Sequence, residues 1–71
     1  MKVLLDNVNK VKKFVDICSK SSENIDVTSG RFIVDGKSIM GVFSLDLSQP
    51  IDVNICGEDK EFIKNIAEFE V

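Results

Sequence analysis

The sequence predicts a two-layer α+β domain, an antiparallel four-stranded sheet with helices packed on one face. Three observations carry this. Residues 8–21 and the segment after residue 58 place apolar side chains at helical spacing, whereas Ile51–Cys56 alternates apolar and polar side chains as a half-buried strand does. Between them, two short apolar runs flank Thr28-Ser29-Gly30, the signature of a β-hairpin. At 71 residues the chain suits one domain, residues 1–71, near the lower limit for folding without disulfide or metal staples.

Lys2–Leu5 reads as a short first strand, with Val3 and Leu5 on one face and Leu4 on the other. Asp6, Asn7 or Asn9 then offers a helix cap. Val8, Val11, Phe14, Val15 and Cys18, with Ile17 beside them, carry the apolar pattern of a helix whose 8, 11, 15, 18 spacing marks one face, and Lys10, Lys12, Lys13 and Asp16 fall mostly off it. Ile25-Asp26-Val27 and Arg31–Val34 form the two arms of the hairpin. Asp35-Gly36-Lys37 leads to Ser38, whose hydroxyl can accept a hydrogen bond from a first-turn N–H that the helix leaves unpaired. The short helix after it carries Ile39, Met40, Val42, Phe43, Leu45 and Leu47, too many apolar groups for one buried stripe. Some of them should therefore face solvent, as at a docking surface. Pro50 stops that helix. In the following strand Ile51, Val53 and Ile55 should face the core, with Asp52 and Asn54 outward. Glu58 or Asp59 opens the last helix, where a carboxylate suits the positive end of the dipole. Phe62, Ile63, Ile66, Ala67 and Phe69 continue it. The element order is βαββαβα, with two long helices and one short one.

Composition narrows the function. The net charge is −3, but residues 1–20 hold five lysines and two aspartates, whereas residues 21–71 hold four basic and ten acidic groups. An acidic chain without exposed aromatics interleaved with basic residues disfavours nucleic-acid binding. No apolar run approaches a membrane span, and Met1–Leu5 is too short before Asp6 for a signal peptide, so a cytoplasmic protein is expected. Cys18 and Cys56, each among apolar neighbours, read as buried free thiols. With no histidine and no paired-cysteine spacing, no metal site or cofactor is expected. Gly36-Lys37-Ser38 is not the end of a P-loop: that motif needs glycine five positions earlier, where Arg31 stands.

Lys37-Ser38-Ile39-Met40-Gly41 with Val42-Phe43-Ser44-Leu45 resembles the segment around the regulatory serine of HPr. HPr is the small phosphocarrier of the bacterial phosphoenolpyruvate-dependent sugar phosphotransferase system. The resemblance implies the HPr-like open-faced β-sandwich and agrees in element order along nearly the whole chain. It also implies a role for Ser38 as a kinase-phosphorylated regulatory residue, and for Ile39, Met40 and Phe43, with Lys37, as the partner-binding patch. The family's other signature, a phosphorylated histidine followed by arginine and proline at a helix start, is missing. Alignment puts Asn7 at about the histidine, Asn9 at the arginine and Lys10 at the proline.

An imidazole carries phosphate because its neutral nitrogen is nucleophilic near neutral pH; an asparagine amide is not. The chain is therefore expected to be no enzyme and no histidine phosphocarrier, but a protein-binding or regulatory module. Its expected partners are phosphotransferase-system components, an HPr-serine-type kinase or a transcriptional regulator. Two alternatives stand beside this. One is phosphotransfer from another acceptor, such as an acyl phosphate on Asp6; the other is a ligand-binding or structural domain that keeps only the fold. The plainest alternative for Ser38 is a helix cap above ordinary core.

Overall fold

Alternation along the strands sets which face of the sheet is covered. In the computed structural model, which describes all of residues 1–71, Ile25 and Val27 are buried while Asn24 and Asp26 are exposed, and Ile51 and Val53 are buried with Asn54 exposed. One face of the sheet thus meets the helices and the other meets solvent. The elements are β1 (Lys2–Val3), α1 (Val8–Lys20), β2 (Asn24–Ser29), β3 (Phe32–Asp35), α2 (Ile39–Phe43), β4 (Ile51–Cys56) and α3 (Lys60–Ile66), the last extended by a 3-10 turn over Ala67–Phe69. The sheet is fully antiparallel in the order β1-β4-β2-β3. This is the open-faced α+β sandwich expected from the sequence.

The core joins Val3 and Leu5, the inward residues of β2 and β4, and Val11, Phe14, Val15 and Cys18 of α1. Val42 and Leu45 close it beside α2, and Phe62, Ile66 and Phe69 beside α3. Phe14 and Phe69 meet edge to face with ring centroids 6.4 Å apart. Side-chain caps start all three helices: Asn7 accepts from Lys10 N–H, Ser38 from Gly41 N–H and Asp59 from Phe62 N–H.

Several boundaries differ from the expectations. β1 covers two residues rather than four, because its partner β4 begins only at Ile51, opposite Val3; on its outer side Leu4 N–H donates to Phe69 O (2.9 Å) and Val71 N–H to Lys2 O (3.1 Å). The hairpin turns at Gly30 and Arg31, with Gly30 in the left-handed region (φ 59°). α2 stops at Phe43, and Asp46 folds the chain back by accepting from Ser48 N–H at 3.1 Å. Val8 and Ile63, expected on buried faces, are exposed. Cys56 is exposed as well, not buried. It is an outward residue at the end of β4, out of phase with the buried Ile51 and Val53.

Candidate functional site

Ser38 stands where the chain leaves β3. Asp35 builds the approach: its backbone oxygen accepts from Ser38 N–H (3.0 Å) and its carboxylate from Lys37 N–H (2.9 Å). Gly36 passes between them against the core, donating to Ile25 O at 2.8 Å. The Ser38 backbone is extended (φ −101°, ψ 108°), its Oγ accepts from Gly41 N–H at 3.2 Å, and its carbonyl accepts from Val42 N–H at 3.0 Å. Ser38 is exposed, and the first turn of α2 holds no acidic side chain.

The apolar neighbours divide. Val42 is buried and fixes α2 to the core, whereas Ile39, Phe43 and Met40 are exposed by 37%, 39% and 76%. An exposed apolar surface therefore lies directly after the hydroxyl, as the excess of apolar residues in this segment requires. Lys37 behaves differently from its neighbours. Its ammonium donates to Ser21 O at 2.8 Å, at the C-terminal end of α1. A cation there suits the negative end of the helix, and it ties the Ser38 loop to α1.

Asn7 lies at the start of α1, where its side-chain oxygen accepts from Lys10 N–H at 2.9 Å. An open cleft of about 400 Å³ beside it is lined by Asn7, Asn9, Lys10, Lys13, Glu68 and Phe69. Its charges are paired locally: Lys10 with Asp6 at 2.9 Å and Lys13 with Glu68 at 2.6 Å. The hydrogen bond and charge of Lys10 hold the Asp6 carboxyl below the usual range. No histidine is available to this cleft, because the chain has none. No cluster of three or more potential ligating side chains is present, and no helix is long and apolar enough to cross a membrane.

The family described as PTS HPr component phosphorylation site matches over residues 8–70, nearly the full chain. This chain belongs to the HPr family. Among solved structures, the crystal structure of HPr-C-His from Thermoanaerobacter tengcongensis is 29% identical, with a TM-score of 0.80, and the match covers 96% of this chain and 85% of that one. No curated protein matches the chain. HPr-family proteins are phosphocarriers of the phosphotransferase system rather than enzymes in themselves, and they interact with other proteins of that system.

Sequence reasoning named Asp59 as a helix start but missed its link to Ser21. Ser21 Oγ donates to the Asp59 carboxylate at 2.7 Å, which joins the end of α1 to the start of α3 and holds the Asp59 carboxyl below its ordinary value. Ser21 also presents the carbonyl that Lys37 grips, so one residue links α1 to both later helices. The pairing spans 38 positions, and no local pattern signals it.

Proposed function

We propose that this chain is a non-catalytic HPr-family protein that acts by binding other proteins, with Ser38 as its regulatory phosphorylation site and Ile39, Met40 and Phe43 as contact surface. The observation that carries this is the pairing of two facts within one HPr-family sequence. The chain has no histidine to accept phosphate, yet an exposed hydroxyl and an exposed apolar helix face remain side by side. Asn7 supports the reading, since its side chain serves as a helix cap and its amide offers no nucleophile. Phosphate on Ser38 would replace the capping hydroxyl by a stronger acceptor next to first-turn N–H groups. It would place charge at the rim of the apolar face and change which partners dock there.

Two assays test this. Incubation with phosphoenolpyruvate and the first enzyme of the phosphotransferase system should leave the mass unchanged, because no residue offers a nucleophilic imidazole. Titration against HPr-binding proteins of that system should show saturable binding that Met40→Lys and Phe43→Lys weaken. Phosphate uptake from phosphoenolpyruvate, or binding indifferent to both substitutions, would refute the proposal.

A further inference from the structure

The chain closes one edge of its sheet and leaves the other open. At the β1 edge the chain's own end is bound, through the Leu4–Phe69 and Val71–Lys2 backbone bonds and the bridge between Val3 and Glu70. At the opposite edge β3 pairs with β2 alone. In an antiparallel ladder alternate residues turn their N–H and C=O away from the partner. Ser29 and Phe32 flank the two-residue turn and close the hairpin as a hydrogen-bonded pair. Phe32 and Val34 therefore bond to β2, and Ile33 directs both backbone groups outward.

Edge strands are usually guarded by lysine, proline or a bulge. β3 has none of these and is guarded by its shortness alone, at four residues. It exposes Phe32 (66%) and Ile33 (69%), consecutive residues that stand on opposite faces of the sheet. Around Ile33 the sequence is Arg31-Phe32-Ile33-Val34-Asp35, with opposite charges two residues to either side. The ion pairs of the fold are Lys2–Asp52, Lys10–Asp6, Lys13–Glu68 and Lys20–Asp16, which leaves Arg31 unpaired.

We propose that two copies of this chain associate by antiparallel pairing of their β3 strands about a two-fold axis at Ile33, which joins two four-stranded sheets into one. In this register the two Ile33 residues exchange both backbone bonds and pack side by side on the open face. Phe32 of each copy stands opposite Val34 of the other on the helix-covered face. Arg31, the turn residue just before β3, lies across from Asp35 of the other copy at each end of the pairing, and its long side chain supplies the charge opposite that carboxylate. Charge selects both the occupant and the register. Parallel pairing in register would set Asp35 against Asp35, and a two-residue slip would separate the opposite charges. The segment is complementary to itself read backwards, so a second copy fits better than an unrelated peptide. Because the strand is short, the contact lies at the small end of protein interfaces, and dimerisation follows concentration.

Sedimentation equilibrium from micromolar to millimolar protein tests this, together with hydrogen exchange of the Ile33 amide over the same range. The expected result is a monomer that becomes a dimer as concentration rises, with Ile33 gaining protection in step. Ile33→Lys and Arg31→Asp should each weaken association by about tenfold or more while leaving the monomer folded. Ile33→Pro should abolish it, because that N–H has no role in the β2–β3 ladder; if this variant does not fold, the other two carry the test. A wild-type chain that stays monomeric at millimolar concentration overturns the proposal. So does a dimer that both Ile33→Lys and Arg31→Asp leave intact.

Discussion

Gly36→Ala should destabilise the protein through space alone. Gly36 is buried where the chain passes from β3 to Ser38, and it is not one of the glycines with positive φ, so its backbone accepts any L residue. A Cβ there would lie 2.9 Å from Ile25 Cγ2, 3.2 Å from Ile25 O and 3.3 Å from Cys18 Sγ. None of these atoms can step aside. Ile25 is 1% exposed and held in the central strand β2, Cys18 is fully buried in α1, and the Ile25 carbonyl already accepts from Gly36 N–H. Overpacking of this kind costs about 1–3 kcal/mol. In a domain of this size each kcal/mol lowers Tm by about 4–8 °C, so a drop of roughly 5–20 °C is expected. Thermal unfolding by circular dichroism measures it directly, and the urea midpoint should fall in parallel with unchanged slope. A Gly36→Ala variant as stable as wild type would refute the tight passage of this loop over Ile25 and Cys18, and with it the geometry that presents Ser38.

Other consequences are equally specific. Phe62→Ala should cost about 3–5 kcal/mol in denaturant unfolding, since Phe62 is 2% exposed on the inner face of α3; near-zero loss would misplace that face. Burial pushes the Cys18 thiol up to about 12, whereas Cys56 is exposed. A maleimide at neutral pH should therefore modify one thiol in the native protein, Cys56, and both in denaturant; rapid native labelling of Cys18 would contradict its burial. The depressed pKa of Asp59 means that its bonds to Ser21 and Phe62 stabilise the fold above the ordinary aspartate value of 3.8 and are lost as pH falls through the lower native value. Asp59→Asn should trail wild type in stability at neutral pH and converge with it in acid, and a gap that stays constant would sink the linkage. Ser38→Ala should cost about 0.5–1 kcal/mol, at the low end for a cap because the site is exposed and the bond is 3.2 Å long, and Ser38→Asp should recover most of that loss.

The fold was legible in the sequence because its pattern is local. The 8, 11, 15, 18 spacing of α1, the alternation of β4 and the capping residues Asn7, Ser38 and Asp59 each speak through near neighbours, and tertiary packing agrees with them. Where long-range bonds decide, the pattern is silent. β1 is limited to two residues because β4, its distant partner, begins only opposite Val3, and Ser21 meets Asp59 38 positions away. Cys56 misled for another reason: its apolar neighbour Ile55 lies on the other face of the strand, so sequence proximity says nothing of shared burial. At the candidate site the helix cap and the surplus of apolar residues foretold the exposed Ile39, Met40 and Phe43. The engagement of Lys37 with Ser21 was not foretold, because a flexible lysine chooses its partner only once α1 is docked.

Under the proposed function, Ser38 takes phosphate in a chain that has no histidine to carry it. Intact mass after incubation with ATP and an HPr-serine-type kinase tests it most directly, with Ser38→Ala alongside. The account predicts one phosphate gained by the wild type and none by the variant. A wild type that takes up no phosphate, or a Ser38→Ala chain that takes up the same amount, would contradict it.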